Sequence, residues 1–413
     1  MTLSEAPMES FARRSGEIPA PGPQAARPPA VVEPSPPLAP DRLARFSRQI
    51  LMPGFGEIAQ RRLTNARVLV VGAGGLGSAS IPYLAAAGVG TIGVIDTDVV
   101  ELSNLHRQVV HGMRDIGRSK TDSIADSIAA IDPEVTVHRH EVWLDSANAM
   151  EILSGYDLVM DGSDNFATRY LTNDAATLSH KPLVWGAILR YSGQAGVAFS
   201  DYGPTYRDLF PVPPMADEVL SCSVGGVLPS VCAAIGAIMS AEAIKLITGI
   251  GEPLLGRVTT YDALTGRYRE LSYRSIPGID PITELIDYDL FCGITRADGS
   301  NRANDSAPER TISAIDLSLR LAAHQPMQLV DVREPFEFEI ASIDGSELIP
   351  LGTIEGSLDR IRTDVPVVVF CHHGGRAQRA VSVLRDHGLR NIEQLDGGID
   401  AFAALADPSI ARY

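Results

Sequence analysis

Apolar positions along the chain fall into two patterns. Short runs at 68–71 (β-branched), 91–95 and 156–160 read as buried strands, and stretches with apolar residues three and four apart read as helices. The first strand runs into Gly72-Ala73-Gly74-Gly75-Leu76-Gly77, and an Ala-rich helix is expected over 78–87. The second strand ends at Asp96, 19 residues beyond Gly77, the spacing of the acidic ribose ligand in a βαβ nucleotide site. Before this unit, apolar residues at helical spacing (Leu43, Phe46, Ile50) predict a helix with Asp41 as N-cap, ending at Pro53-Gly54. After it come an amphipathic helix at 121–131, the strand at 156–160, a helix at 166–178, more strands within 182–200, a helix at 224–248 carrying Cys232, and a hairpin at 257–273. A second alternation starts at Thr311: helix 312–323, strand 327–332, the acidic segment EPFEFE, strand 366–370, helix 376–387 and strand 392–395. Strands alternating with helices predict an α/β protein with two sheets.

Ten of the 28 prolines lie in residues 1–40, where large apolar residues are scarce, so that stretch is expected to be a disordered tail. The expected organisation is a tail (1–40), a nucleotide-binding domain (41–273), a linker (274–310) and a smaller domain (311–413). A net charge of −16 argues against nucleic acid and anionic membrane as partners. No apolar run reads as a membrane span and no signal peptide is evident, so a soluble cytoplasmic protein is expected. Four widely spaced cysteines, 222, 232, 292 and 371, form no C-x-x-C pair and indicate neither a disulfide framework nor a thiolate zinc site. Cys232 reads as a packed small hydrophobe, and Cys292 as incidental to the linker.

Glycines at 72, 74 and 77 let the backbone fold tightly and bring its N–H groups to phosphate at a helix N-terminus. An NAD-dependent dehydrogenase would share this much. The residues past the second strand set this chain apart. Asp96 and Asp98 lead to Glu101-Leu102-Ser103-Asn104-Leu105-His106-Arg107-Gln108, just past the carboxyl end of a strand, where such sheets bind ligands. Arg107 and Lys120 can converge on a phosphate chain, and a lysine at a helix start, against the dipole, hints at an anion there. Asp164 reads either as an N-cap or as a magnesium ligand on a triphosphate. Arg48 by itself reads as a surface arginine. Cys222 sits in a polar loop before a helix, where a thiolate is favoured. In the second domain Cys371-His372-His373-Gly374-Gly375-Arg376 follows an apolar strand and opens a helix, so backbone N–H groups, the helix dipole and Arg376 are expected beside the sulfur. A tyrosine-phosphatase loop has five residues between cysteine and arginine, and here there are four.

GAGGLG, IDTD, ELSNLHRQ, Lys120 and DGSDNFATRY, in this order, resemble the MoeB/ThiF-type enzymes that adenylate ubiquitin-like sulfur carriers, from about Arg45 to Phe291. The resemblance implies a Rossmann-like domain in which Gly75, Asp96, Ser103 to Arg107, Lys120 and Asp164-Asn165 bind ATP and magnesium, with Arg48 reaching into the partner's site of a homodimer. It also sets Cys222 in a crossover loop. Many relatives carry two C-x-x-C pairs holding structural zinc. Thr205 and Asp208, and a cysteine-free stretch at 277–280, stand there instead, as in relatives of the MoeZ group, so no zinc is expected. Asp331-Val332-Arg333-Glu334 with the Cys371 loop resembles a rhodanese domain, with Ala377 where Ser is commoner. Together the halves resemble MoeZ-type bifunctional enzymes. That implies adenylation of the C-terminal glycine of a carrier of the MoaD, ThiS or CysO type, then sulfur transfer from a Cys371 persulfide fed by thiosulfate or a cysteine desulfurase. A ubiquitin-type activating enzyme passing on a Cys222 thioester, and a non-catalytic nucleotide-sensing adaptor, stay open as alternatives.

Overall fold

The computed structural model describes residues 27–211, 226–276, 281–288 and 310–412. The chain divides into two compact units, residues 1–297 and 298–413. In the first, α1 (Pro40–Arg45), α2 (Ser47–Ile50) and α3 (Gly56–Asn65) precede β1 (Arg67–Val71), α4 (Gly75–Ala87), β2 (Thr91–Ile95), α5 (Lys120–Ile131) and β3 (Thr136–His140). Then come α6 (Ala149–Ser154), β4 (Leu158–Asp161), α7 (Phe166–Leu178), β5 (Leu183–Leu189), β6 (Ser192–Ala198), α8 (Tyr206–Leu209), α9 (Pro229–Thr248), β7 (Arg257–Asp262) and β8 (Arg267–Ser272).

These strands form one eight-stranded sheet in the order β3-β2-β1-β4-β5-β6-β7-β8. The stretch from β3 to β5 is parallel and β5 to β8 antiparallel. The chain winds outward from β1 through β2 to β3, then returns to place β4 on the other side of β1. The crevice between the carboxyl ends of β1 and β4 is therefore a topological switch point, where open α/β sheets bind ligands. The central strands are buried on both faces, as their unbroken apolar runs require.

Several expectations shift. Ala39, not Asp41, is the N-cap of the first helix, because Pro40 takes the first helical position, and the helix breaks at Phe46 (φ −93°, ψ 9°). The glycine-loop helix starts three residues early, at Gly75. The helix expected from 224 starts at Pro229, again with proline in the first turn. That helix corrects the membrane expectation too. With a mean hydropathy of 1.7 it is long and apolar enough to cross a bilayer, yet 61% of its window is buried, against α4, β5 and β6. Cys232 is fully buried on it.

Residues 27–39 differ from the expected tail. Val31 N–H donates to Leu246 O (3.0 Å), Ser35 N–H to Arg61 O (3.1 Å), and Val32 is buried in the core. Proline lacks an N–H and sets φ, so an extended segment needs few hydrogen bonds of its own to lie on a folded surface. Deleting residues 1–26 is expected to leave the thermal midpoint unchanged. Deletion through residue 39 also removes Val32, which at ~1.5–3 kcal/mol should lower the thermal midpoint by roughly 3–12 °C. Scanning calorimetry of the two truncations checks this, and equal midpoints would show that the contact carries no stability.

The second unit comprises β9 (Thr311–Ile312), α10 (Ala314–Ala322), β10 (Gln328–Asp331), α11 (Pro335–Ile340), β11 (Ser346–Leu348), β12 (Val367–Phe370), α12 (Gly375–Asp386), β13 (Ile392–Leu395) and α13 (Gly398–Leu405). Its sheet, in the order β11-β10-β12-β13-β9, is parallel throughout. The acidic segment forms α11, closed at its start by a reciprocal Glu334–Glu337 capping box.

Candidate nucleotide and sulfur sites

The first site grows from the turn after β1. Gly72 adopts φ +92°, and its N–H donates to Ile95 O (2.9 Å). A Cβ on Gly77 would lie 2.0 Å from Gly72 O, so only glycine lets α4 start this close to the strand. No side chain caps α4, which leaves its first-turn N–H groups and the positive end of its dipole facing the crevice.

Asp96 holds this turn from β2. Its Oδ2 accepts Ala73 N–H and its Oδ1 accepts Asp98 N–H, both at 2.8 Å. Burial raises its pKa above the usual carboxylate range, opposed by Lys120 and the two amides. Lys120, buried at the start of α5, donates from Nζ to Asp98 Oδ2 (2.7 Å) and from its backbone to Asp98 O (3.0 Å). The anion implied by a lysine at a helix start is thus met within the chain by Asp98.

In the segment after β2, Ser103 and Asn104 belong to a short 3₁₀ turn closed by Glu101, whose N–H donates to Asn104 Oδ1 (3.1 Å). Half-buried Arg107 donates from Nη1 to Ser103 O (2.8 Å), and Gln108 is buried near Gly74. At the end of β4, Asn165 caps α7 by accepting Thr168 N–H (2.9 Å), so Asp164 is not the cap. The Asp164 carboxylate is exposed at the switch point and, among the described residues, has no hydrogen-bond partner. That oxygen donor beside the glycine turn fits a hard divalent ion. Arg48 is exposed on α2 and likewise pairs with nothing described. Its platform is pinned by Arg42, which forks onto buried Asp132 (2.9 and 2.8 Å), and by buried Phe46. Cys222 and Cys292 lie outside the described residues.

Four residues beside this crevice carry buried side-chain atoms without a partner among the described residues: Gln108 Oε1, His111 Nε2, Ser163 Oγ and Arg169 Nε. Buried polar groups are ordinarily paired, so unspent ones mark where a ligand or water completes the network. His111 binds Ser123 Oγ through Nδ1 (2.8 Å) and faces the Ala73 backbone, and burial lowers its pKa. Sequence reading missed His111, Ser163 and Arg169. The last two stood within DGSDNFATRY, but a one-dimensional pattern does not show which side chains are left unpaired.

In the second unit Cys371 follows β12 and is buried, its Sγ accepting Gly374 N–H (3.1 Å). Gly374 adopts φ +121° to turn that amide onto the sulfur, and α12 starts at Gly375. The α13 start packs beneath, where Ile399 N–H donates to Cys371 O (2.9 Å). The Arg376 guanidinium, on the first turn of α12, forks onto Glu337 of α11 at 2.6 and 2.8 Å. Burial works to raise the Glu337 pKa, but Arg376 and Glu334 N–H hold it below the usual range. Arg333 is fully buried against Asp331. His372, stacked on His373 at 4.0 Å, is pushed down to about 4 by burial and by that neighbour, so it is neutral near pH 7.

The sequence model of the ThiF family matches residues 46–276, and that of the rhodanese-like domain matches residues 313–405. A probable adenylyltransferase/sulfurtransferase MoeZ of Mycobacterium tuberculosis is 47% identical over 391 residues, covering 93% of this chain and 99% of that protein. The adenylyltransferase and sulfurtransferase MOCS3 of Drosophila yakuba is 40% identical over 388 residues, covering 90% of this chain and 85% of the relative. Among solved structures, E. coli MccB with AMPCPP and MccA superposes with a TM-score of 0.52 at 21% identity, over 58% of this chain and 73% of MccB, a likeness of fold.

Proposed function

Because the chain belongs to the ThiF family, in the branch of adenylyltransferase/sulfurtransferases that carry a rhodanese-like domain, we propose that it adenylates the C-terminal glycine of a ubiquitin-like sulfur carrier and then sulfurates it from Cys371. The observation that carries this reading is one chain holding both an uncapped helix start with cations beside it and a buried thiol cradled by a helix-opening amide.

In the first reaction a carrier carboxylate oxygen attacks the α-phosphorus of ATP and the bond to pyrophosphate breaks. The glycine-turn amides hold phosphate oxygens, Asp96 takes the ribose hydroxyls, and Arg107, Lys120 and the partner subunit's Arg48 stabilise the developing charge. Ser103, Asn104, Gln108 and Asn165 shape the nucleotide bed. Magnesium at Asp164 would screen the triphosphate. In the second reaction the terminal sulfur of a Cys371 persulfide attacks the acyl carbon and AMP leaves, giving an acyl disulfide. A thiolate attacking Cys371 Sγ then breaks the S–S bond and releases the thiocarboxylate, and an external thiol reduces the disulfide left behind. The Cys371 thiolate takes its persulfide sulfur from thiosulfate, with sulfite leaving, or from a cysteine desulfurase persulfide, with the donor thiolate leaving, and Gly374 N–H with the α12 dipole favours the sulfur anion. Cys222 is a candidate for a thioester or for resolving an acyl disulfide. The setting is a cytoplasmic homodimer.

Pull-down from the source cell, followed by carrier-dependent pyrophosphate exchange with the captured protein, tests this reading. Absence of exchange with every captured carrier would remove it. Arg48→Ala should lower exchange strongly, and mixing it with a Lys120→Ala chain should restore part of it. Mixed dimers without recovery would place Arg48 outside the partner's site. The protein should also contain no stoichiometric zinc. Thr205 N–H and Oγ1 both donate to Asp208 Oδ2 (2.7 and 3.1 Å), and Asp208 Oδ1 accepts Ile276 N–H (2.8 Å), joining the same segments by hydrogen bonds. One zinc per chain surviving dialysis, by elemental analysis, would overturn that.

A further inference from the structure

Arg169 and Ser163 are each 9% exposed. Arg169 Nη2 donates to Ser163 O (3.0 Å), and the guanidinium lies 5.3 Å from the Phe166 ring centroid. Among the described residues Arg169 Nε and Ser163 Oγ have no hydrogen-bond partner and no carboxylate lies within ion-pair distance of Arg169. The neighbouring acid is already committed, since Asp161 accepts Ser163 N–H (2.8 Å) on one oxygen and Thr172 Oγ1 (2.5 Å) on the other. Arg333, the other arginine buried this deeply among the described residues, is matched by Asp331. A buried cation without its anion carries a desolvation cost that a ligand's charge would offset.

The pair abuts the glycine turn, because Ser163 N lies 3.4 Å from where a Cβ on Gly72 would project. It follows β4, whereas Arg107 and Lys120 follow β2, on the opposite side of β1. Two anions, the triphosphate and the attacking carboxylate, must meet at this switch point, and the β2-side cations serve only the first. We propose that Arg169 and Ser163 form the subsite for the acceptor carboxylate, a planar group that a guanidinium edge and a hydroxyl can hold together. This rests on the adenylating reading above.

The test uses the full-length protein, ATP, magnesium and a carrier of the MoaD, ThiS or CysO type with its terminal glycine intact. Arg169→Gln should lower kcat/KM for the carrier by about 10²-fold in pyrophosphate exchange, with Arg169→Lys recovering part of it. Calorimetric affinity for AMPCPP should change less than ~3-fold, because the phosphate donors are untouched. If AMPCPP affinity falls by the same factor while the carrier KM is unchanged, the anion is a nucleotide phosphate and the proposal fails. Unchanged constants throughout would also sink it, leaving a hydrated structural arginine. Should Arg169→Gln not fold, Ser163→Ala carries the test, with a smaller loss confined to the carrier side. Wild-type protein giving no carrier-dependent exchange would overturn the adenylating reading itself, whereas wild-type exchange with indifferent variants overturns only the subsite.

Discussion

Cys371→Ala is expected to abolish thiosulfate-to-cyanide transfer and formation of the carrier thiocarboxylate, while carrier-dependent pyrophosphate exchange stays at the wild-type rate. The asymmetry follows from where the chemistry sits. In the proposed function adenylate formation uses the crevice between β1 and β4, and the thiol belongs to the other sheet. Among the described cysteines Cys232 is buried within α9, and Cys371 alone accepts a helix-opening amide. The substitution removes one atom and leaves β12, the Gly374 turn and the Arg376–Glu337 fork to hold the loop, so the unit should keep its thermal midpoint. Mass spectrometry of the carrier with thiosulfate as the sole donor is the measurement. Thiocarboxylate made at the wild-type rate would show that the second unit is not the sulfur source, and the two-step reading would fail.

Lys120→Ala is expected to lower carrier-dependent exchange by about 10²- to 10³-fold, the range for losing one preorganised charge stabiliser, with thiosulfate-to-cyanide transfer retained. The structure adds a pH signature. Burial already raises the Asp96 pKa, and Lys120 is the main influence opposing that rise. Without the lysine the Asp96 pKa climbs further, so at a given acidic pH more of it is protonated and fewer molecules hold it as the carboxylate that accepts the Ala73 and Asp98 amides and, in the proposed function, the ribose hydroxyls. The acidic limb of the pH–rate profile should move to higher pH in the variant. Exchange at the wild-type rate would remove Lys120 from the site. A large loss with an unmoved acidic limb would leave its direct effect on phosphate and remove its coupling to Asp96.

The sequence by itself determined the elements whose signals are local. A β-branched run, glycines at 72, 74 and 77, an Ala-rich helix and an acid 19 residues on specify strand, turn, helix and strand within one short stretch, and Cys371 between an apolar strand and two glycines does the same in the second unit. The tertiary structure decided whatever depends on residues far apart in the chain. β4 lies beside β1 only because the chain crosses back over the sheet, which brings Asp164, Ser163 and Arg169 to the turn at Gly72. Whether Asp164 or Asn165 capped α7 depended on which side chain met Thr168 N–H, a choice that composition leaves even. The pairing of Arg376 spans 39 residues to Glu337, and the residues 27–39 that read as tail are held by a helix end more than 200 positions away. Periodicity and spacing report on neighbours within a turn or a strand, and burial, pairing and charge compensation are set by the packing of segments whose separation along the chain carries no such signal.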